Sequence, residues 1–161
     1  MIVVVMGVSG SGKTAIGEAL AAKLGWPFLD GDDWHPPENV AKMASGTPLT
    51  DEDRWPWLDR LNAEVRAREA RGESVVLACS ALNQAYRDRL TRAVADWKLV
   101  FLHGSFELLR RRVEERKHRY MPASLLQSQL ATLEPPVDGI SVDVAQPAKR
   151  SIEYLVAVLR R

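Results

Sequence analysis

The chain carries one cysteine, Cys79, in 161 residues. An intrachain disulfide is therefore excluded, and a reducing compartment, the cytoplasm, is expected. An excess of either charge is also missing: 22 Lys and Arg face 21 Asp and Glu, for a net charge of +1. That balance creates no global field to draw in nucleic acid or an anionic membrane. No apolar run approaches the roughly 20 residues of a bilayer span. No basic region with a cleavage site precedes the first apolar stretch. Repeats, linkers and low-complexity segments are absent. What remains is 46% hydrophobic and 27% charged, values ordinary for a globular chain. The length suits a single domain over residues 1–161 with a well-buried core.

Against these absences stands one strong motif. The apolar run Ile2-Val3-Val4-Val5-Met6 leads directly into Gly7-Val8-Ser9-Gly10-Ser11-Gly12-Lys13-Thr14. The spacing G-x-x-x-x-G-K-[ST] is that of a phosphate-binding loop. Glycines let the backbone curl so that several N–H groups converge on an anion, and the following helix adds its positive end. Lys13 supplies a mobile charge for the outer phosphates, and the Thr14 hydroxyl suits magnesium. At average residue usage this pattern arises by accident in about one of a few hundred chains of this length. Two further absences narrow its purpose. No apolar strand ends in the acidic pair of a motor-type ATPase, since residues 75–79 run into Ser80, and no N-K-x-D guanine-reading motif is present. A small-molecule kinase is therefore favoured over a motor or a GTPase switch.

Periodicity supplies the frame. Strands are expected at 2–6, 26–29, 75–79, 99–102 and 140–144. Helices are expected from Lys13 to about Leu24, at 38–44, 56–71, 84–95, 106–116 and 124–133, and from Pro147 onward. Thr50-Asp51-Glu52-Asp53 has the form of a capping box, but Pro56 conflicts with a helix running on from it. A distorted turn through Arg54 is expected instead. Apolar strands alternating with helices predict a three-layer α/β/α fold, a mostly parallel sheet of about five strands covered on both faces. Right-handed crossovers would then bring the phosphate loop, 30–33, Ser80 and 103–104 to one rim.

On that rim Asp30 and Asp32 fall on nearly the same side if the strand end stays extended. One could hold magnesium through water while the other takes a proton from a substrate hydroxyl. Residues 110–119 hold six Arg and Lys against two Glu. Part of this is an amphipathic surface helix, and the sharper expectation is a mobile lid at about 116–124 whose arginines close over the nucleotide. Cys79, at the end of an apolar strand with no base partner, reads as a buried structural thiol. His35 and His103 lack paired ligand spacing for zinc.

The chain resembles the gluconokinases of the shikimate-kinase-like P-loop group. The resemblance rests on the phosphate loop, on Phe28-Leu29-Asp30-Gly31-Asp32 with His35-Pro36, and on Asn39, Lys42-Met43, Gly46 and Pro48-Leu49. It continues through Asp51, Asp53-Arg54, Pro56-Trp57-Leu58, Cys79-Ser80-Ala81-Leu82, Tyr86-Arg87-Asp88, Ser128-Gln129 and Leu133-Glu134-Pro135. It implies a P-loop fold with a lid and an ATP- and Mg2+-dependent transfer of phosphate to the 6-hydroxyl of D-gluconate. Shikimate, another small sugar acid, or non-catalytic nucleotide binding are the alternatives. By position, Asp32 resembles the acceptor-side carboxylate, with Lys13 and Arg116 as the other catalytic groups. Thr14 and Asp30 would support the metal. Arg54 would grip the sugar acid within an acceptor region at about 32–60, where His35 and Lys42 also fall, and Ser80 would be a further contact. Gly7, Val8, Ser9, Gly10, Ser11, Gly12, Lys13 and Thr14 would cradle the phosphates. Arg112 resembles the arginine lying against adenine, with Gln146-Pro147 as the facing loop. A homodimer is compatible with the resemblance. Departures occur at His118-Arg119-Tyr120 before Met121-Pro122, at Asn83 where the family has lysine, and at Gly139-Ile140.

Overall fold

The computed structural model describes residues 1–115 and 124–161. Five strands form one sheet, β1 (Ile2–Met6), β2 (Phe28–Asp30), β3 (Val75–Ala78), β4 (Trp97–His103) and β5 (Ile140–Asp143), in the order β2-β3-β1-β4-β5. Every pairing is parallel. β1 lies at the centre, with Val4 opposite Leu77 on one side and Leu99 on the other. All residues of β1 and β3 are buried, which is why both read as unbroken apolar runs. β2, at the edge, is only half-buried.

The helices are α1 (Lys13–Leu24), α2 (Pro37–Ala44), α3 (Asp51–Ala70), α4 (Gln84–Leu90), α5 (Phe106–Glu115), α6 (Ser124–Thr132) and α7 (Ala148–Leu159), with a short 3-10 helix at Gly31–Trp34. α1 packs on α7, and α3 on α4, giving the helical layers of a three-layer α/β/α fold. Leu20, Leu58, Leu61, Leu77, Leu102 and Leu155 are among the residues closed off at the centre. None of the helices among the described residues is long and apolar enough to cross a membrane.

Three differences from expectation have local causes. α3 runs unbroken through Pro56, where a distorted turn was expected. The capping box forms, Thr50 Oγ1 accepting from the Asp53 amide at 3.1 Å and Asp53 Oδ2 from the Thr50 amide at 2.9 Å. Pro56 forfeits only the bond to the Glu52 carbonyl one turn back, on an exposed residue that water can serve. Trp57 then pins the turn, its Nε1 donating to the Gly31 carbonyl at 2.8 Å. α4 stops at Leu90 instead of running to 95, because Asn62 Nδ2 donates to the Leu90 and Arg92 carbonyls at 2.8 Å each. Ala93 then turns the chain in the left-handed region at φ 62°. Trp26 belongs to the end of α1, its amide bonding the Ala21 carbonyl at 2.9 Å, so β2 begins only at Phe28. Strand β4 is longer than expected at both ends.

Candidate active site

The chain leaves β1 through the glycine-rich loop and enters α1 at Lys13. Gly12 caps that helix at φ 86°, with open space where a Cβ would stand. Its backbone conformation, not crowding, calls for glycine. At Gly10 crowding adds to the left-handed φ of 84°, since a Cβ would lie 2.6 Å from the Leu109 carbonyl oxygen of α5. Ser9, Lys13 and Thr14 face a common cleft. Lys13 folds back over the loop, Nζ donating to the Val8 carbonyl at 3.4 Å. Ser11 turns inward: its amide bonds the Val8 carbonyl at 3.2 Å, and its buried Oγ has no partner among the described residues. Ser11 is not among the residues that line the cleft.

β2 ends in Asp30, and the 3-10 helix that follows it carries Asp32 in place of the extended chain expected. Asp30 accepts from the Thr14 hydroxyl at 3.2 Å with one oxygen and from the Asp32 amide at 3.0 Å with the other. Those contacts separate the acids: Asp30 is tied to the loop, and Asp32 lines the cleft. Among the described residues no three His, Cys, Asp or Glu side chains converge on a metal position. Thr14 and Asp30 instead juxtapose two hard oxygens beside the glycine cradle. That donor set fits a magnesium ion that keeps most of its waters and takes further ligands from phosphate.

The opposite wall comes from residues 32–60. His35 lies flat on Trp57, ring centroids 4.0 Å apart. Burial first, then the nearby Arg54 guanidinium, pull its pKa down to about 4 against the opposing pull of Asp30. The imidazole is therefore neutral at physiological pH. Arg54 reaches the cleft from the first turns of α3, Nη1 donating to Tyr86 Oη at 2.8 Å. Nε and Nη2 make no hydrogen bond to a described residue. An unspent guanidinium fork in a cleft suits a carboxylate. Met43, Pro48 and Leu49 complete this wall, and Ser80 and Leu82 enter from the end of β3. α6 closes the remaining side, Gln129 Oε1 accepting from the Ser9 amide at 2.7 Å.

Lys42 is placed differently from expectation. Its Nζ is 2.7 Å from Asp53 Oδ2, and it does not line the cleft. This pairing makes it a brace at the start of α3. Arg112, Gln146 and Pro147 also lie outside the cleft but are near one another: Arg112 Nη2 donates to the Val144 carbonyl at 2.8 Å, just before Gln146. Asn83 is the cap of α4, its side chain accepting from the Tyr86 amide at 3.0 Å, a task lysine cannot perform. Arg116 and most of the expected lid lie outside the described residues. Cys79 is fully buried, and burial, reinforced by Asp32, pushes its thiol up to about 12. Tyr86, Asn39, Trp57 and Gln129 hold the site although the sequence marked them only as part of the resemblance, with no role assigned.

A parallel sheet with a phosphate loop after its central strand and two separated carboxylates near that loop define a P-loop kinase-type protein. Comparison with known proteins narrows the class. Residues 2–136 match the family model described as AAA domain. A Xenopus tropicalis protein named "Probable gluconokinase" is 52% identical over 151 residues, covering 84% of this chain and 80% of that protein. The crystal structure of a gluconokinase from Sinorhizobium meliloti 1021 is 50% identical, covers 99% of this chain and 91% of its own, and has a TM-score of 0.87. An unliganded sugar kinase from Janibacter sp. HTCC2649 is similar with a TM-score of 0.94 at 46% identity, covering 99% and 94%. The chain belongs to the gluconokinase family.

Proposed function

We propose that the protein transfers the terminal phosphoryl group of ATP to the 6-hydroxyl of D-gluconate, giving 6-phospho-D-gluconate and ADP. One arrangement carries this reading: a single cleft has the phosphate loop on one wall and Arg54, His35 and Asp32 on the other. Gluconate offers a carboxylate for the Arg54 fork at one end and a primary hydroxyl at the other. Asp32 takes the proton of that hydroxyl as its oxygen bonds to phosphorus and the bond to the departing ADP oxygen breaks. Lys13 and the loop amides hold the negative charge of the transferring group. Thr14 and Asp30 are the side chains that would hold Mg2+, which when bound neutralises phosphate charge. The apolar contacts of Met43, Leu49 and Leu82 narrow the cleft and limit access of water as a competing acceptor.

The test is ADP release from purified protein with ATP, magnesium and a panel of acceptors. Turnover with D-gluconate is expected; clear turnover with shikimate or another sugar acid and none with gluconate overturns the acceptor. Asp32→Asn is expected to lose about 100-fold or more in kcat with nucleotide affinity preserved. Lys13→Ala should weaken both. If Asp32→Asn leaves kcat unchanged, Asp32 is not the base.

A further inference from the structure

The His35 ring is fixed by two contacts, and one of them selects its tautomer. Trp57 holds the ring from below and is itself tied to the Gly31 carbonyl through Nε1 at 2.8 Å. At the ring edge, Asn39 Nδ2 lies 3.1 Å from His35 Nδ1. The same Nδ2 donates to the Asp53 carbonyl at 2.9 Å. That carbonyl can only accept, so the Asn39 amide is turned with its NH2 group toward both partners. A donor aimed at Nδ1 requires Nδ1 to be without a proton, and a neutral ring then carries its proton on Nε2. Nε2 has no hydrogen-bond partner among the described residues, while the ring lines the cleft beside Arg54. Asn39 is itself buried, at 2% exposure, and cannot trade its partners for water.

We propose that Asn39 is a positioning residue that locks His35 as the neutral Nε2–H tautomer, and that this N–H donates to an oxygen of the acceptor substrate. The second half rests on the acceptor reading above. A histidine held this way discriminates by polarity: it offers one donor and no charge, whereas Arg54 beside it offers charge. The two together suit a ligand with a carboxylate and a neighbouring hydroxyl or carbonyl oxygen. A charged imidazolium would lose this division, and would set a second positive charge against Arg54.

Nitrogen NMR on 15N-labelled protein tests the tautomer without any turnover. The chain has three histidines, and loss of one ring system in His35→Phe identifies the signal. At pH 7, His35 should show an unprotonated Nδ1 and a protonated Nε2; a protonated Nδ1 in the wild type overturns the proposal. In Asn39→Ala the signal should move toward a tautomer mixture, which loss of packing alone would not dictate. Addition of D-gluconate to the wild type should shift the Nε2–H resonance more than Nδ1. Binding of gluconate without that shift overturns the contact. His35→Phe, which keeps the stack on Trp57, should raise the gluconate KM by about 3- to 10-fold, the worth of one hydrogen bond, with the ATP KM unchanged. An unchanged gluconate KM likewise overturns the contact. No gluconate turnover by the wild type would strike the proposed function instead, and the apo spectrum would still decide the tautomer.

Discussion

Tyr86 donates a hydrogen bond to Asp51 and accepts one from Arg54. Its Oη is 2.5 Å from Asp51 Oδ1 and 2.8 Å from Arg54 Nη1. The direction of both bonds is forced, because a guanidinium can only donate and a carboxylate only accept. Burial, then the bond to Asp51, push the phenol's pKa up and keep the proton in place. The ring also lies under Arg54, 5.0 Å from its guanidinium carbon. Tyr86→Phe keeps the ring but removes the hydroxyl that aims the fork. The expected outcome is a rise of about 10-fold in the gluconate KM with little change in the ATP KM, measured by steady-state kinetics. Equal changes in both constants would point to a general loss of structure.

Trp57 supports the site through the fold. It is 1% exposed, and its indole both serves the Gly31 carbonyl and carries His35. Trp57→Phe leaves that carbonyl unpaired and a void beside it. Urea unfolding should show a loss of about 2–4 kcal/mol, with the gluconate KM raised as well. A loss within 0.5 kcal/mol, roughly that of a surface substitution, would mean that the stack and bond contribute little.

Acid should weaken the start of α3. The hydrogen bond from Lys42, followed by that from the Thr50 amide, lowers the Asp53 pKa from 3.8 to about 2. A carboxyl whose pKa is depressed on folding stabilises the protein above its unfolded pKa and ceases to do so as pH falls through the folded value. The stability gap between the protein and Asp53→Asn should therefore be full above pH 4 and close as pH drops toward 2. Urea melts across that interval measure it; a gap independent of pH would show that the charge of Asp53 is not what stabilises.

Cys79 should be inert. It is fully buried with its thiol pushed up to about 12, so almost no thiolate exists at pH 8. A chromogenic disulfide reagent should react negligibly with native protein and fully after unfolding in guanidinium. Rapid native reaction would mean that the end of β3 opens.

Much of this was written locally. β1 and β3 read as unbroken apolar runs because a strand buried on both faces cannot carry polar side chains, and this shows without knowledge of neighbours. The phosphate loop is equally local, since its glycines serve the backbone of eight successive residues. Pro56 misled because its rule concerns one helix in isolation. The compensation came from Trp57 and Gly31, 26 residues apart. The pairing of Lys42 with Asp53 was equally invisible, since only folding brings the two side chains together.

Sequence alone, then, determined the alternation of strands and helices, the phosphate loop and the resemblance to a sugar-acid kinase, because each resides in short-range pattern. Tertiary structure decided which polar groups are spent and which are left over. Asp30 is spent on Thr14 and Lys42 on Asp53, whereas among the described residues Arg54 keeps an open fork and His35 an unpartnered Nε2. Hydrogen bonds between residues tens of positions apart set that division, because each donor has few bonds to give and closure of the chain decides which acceptor receives them.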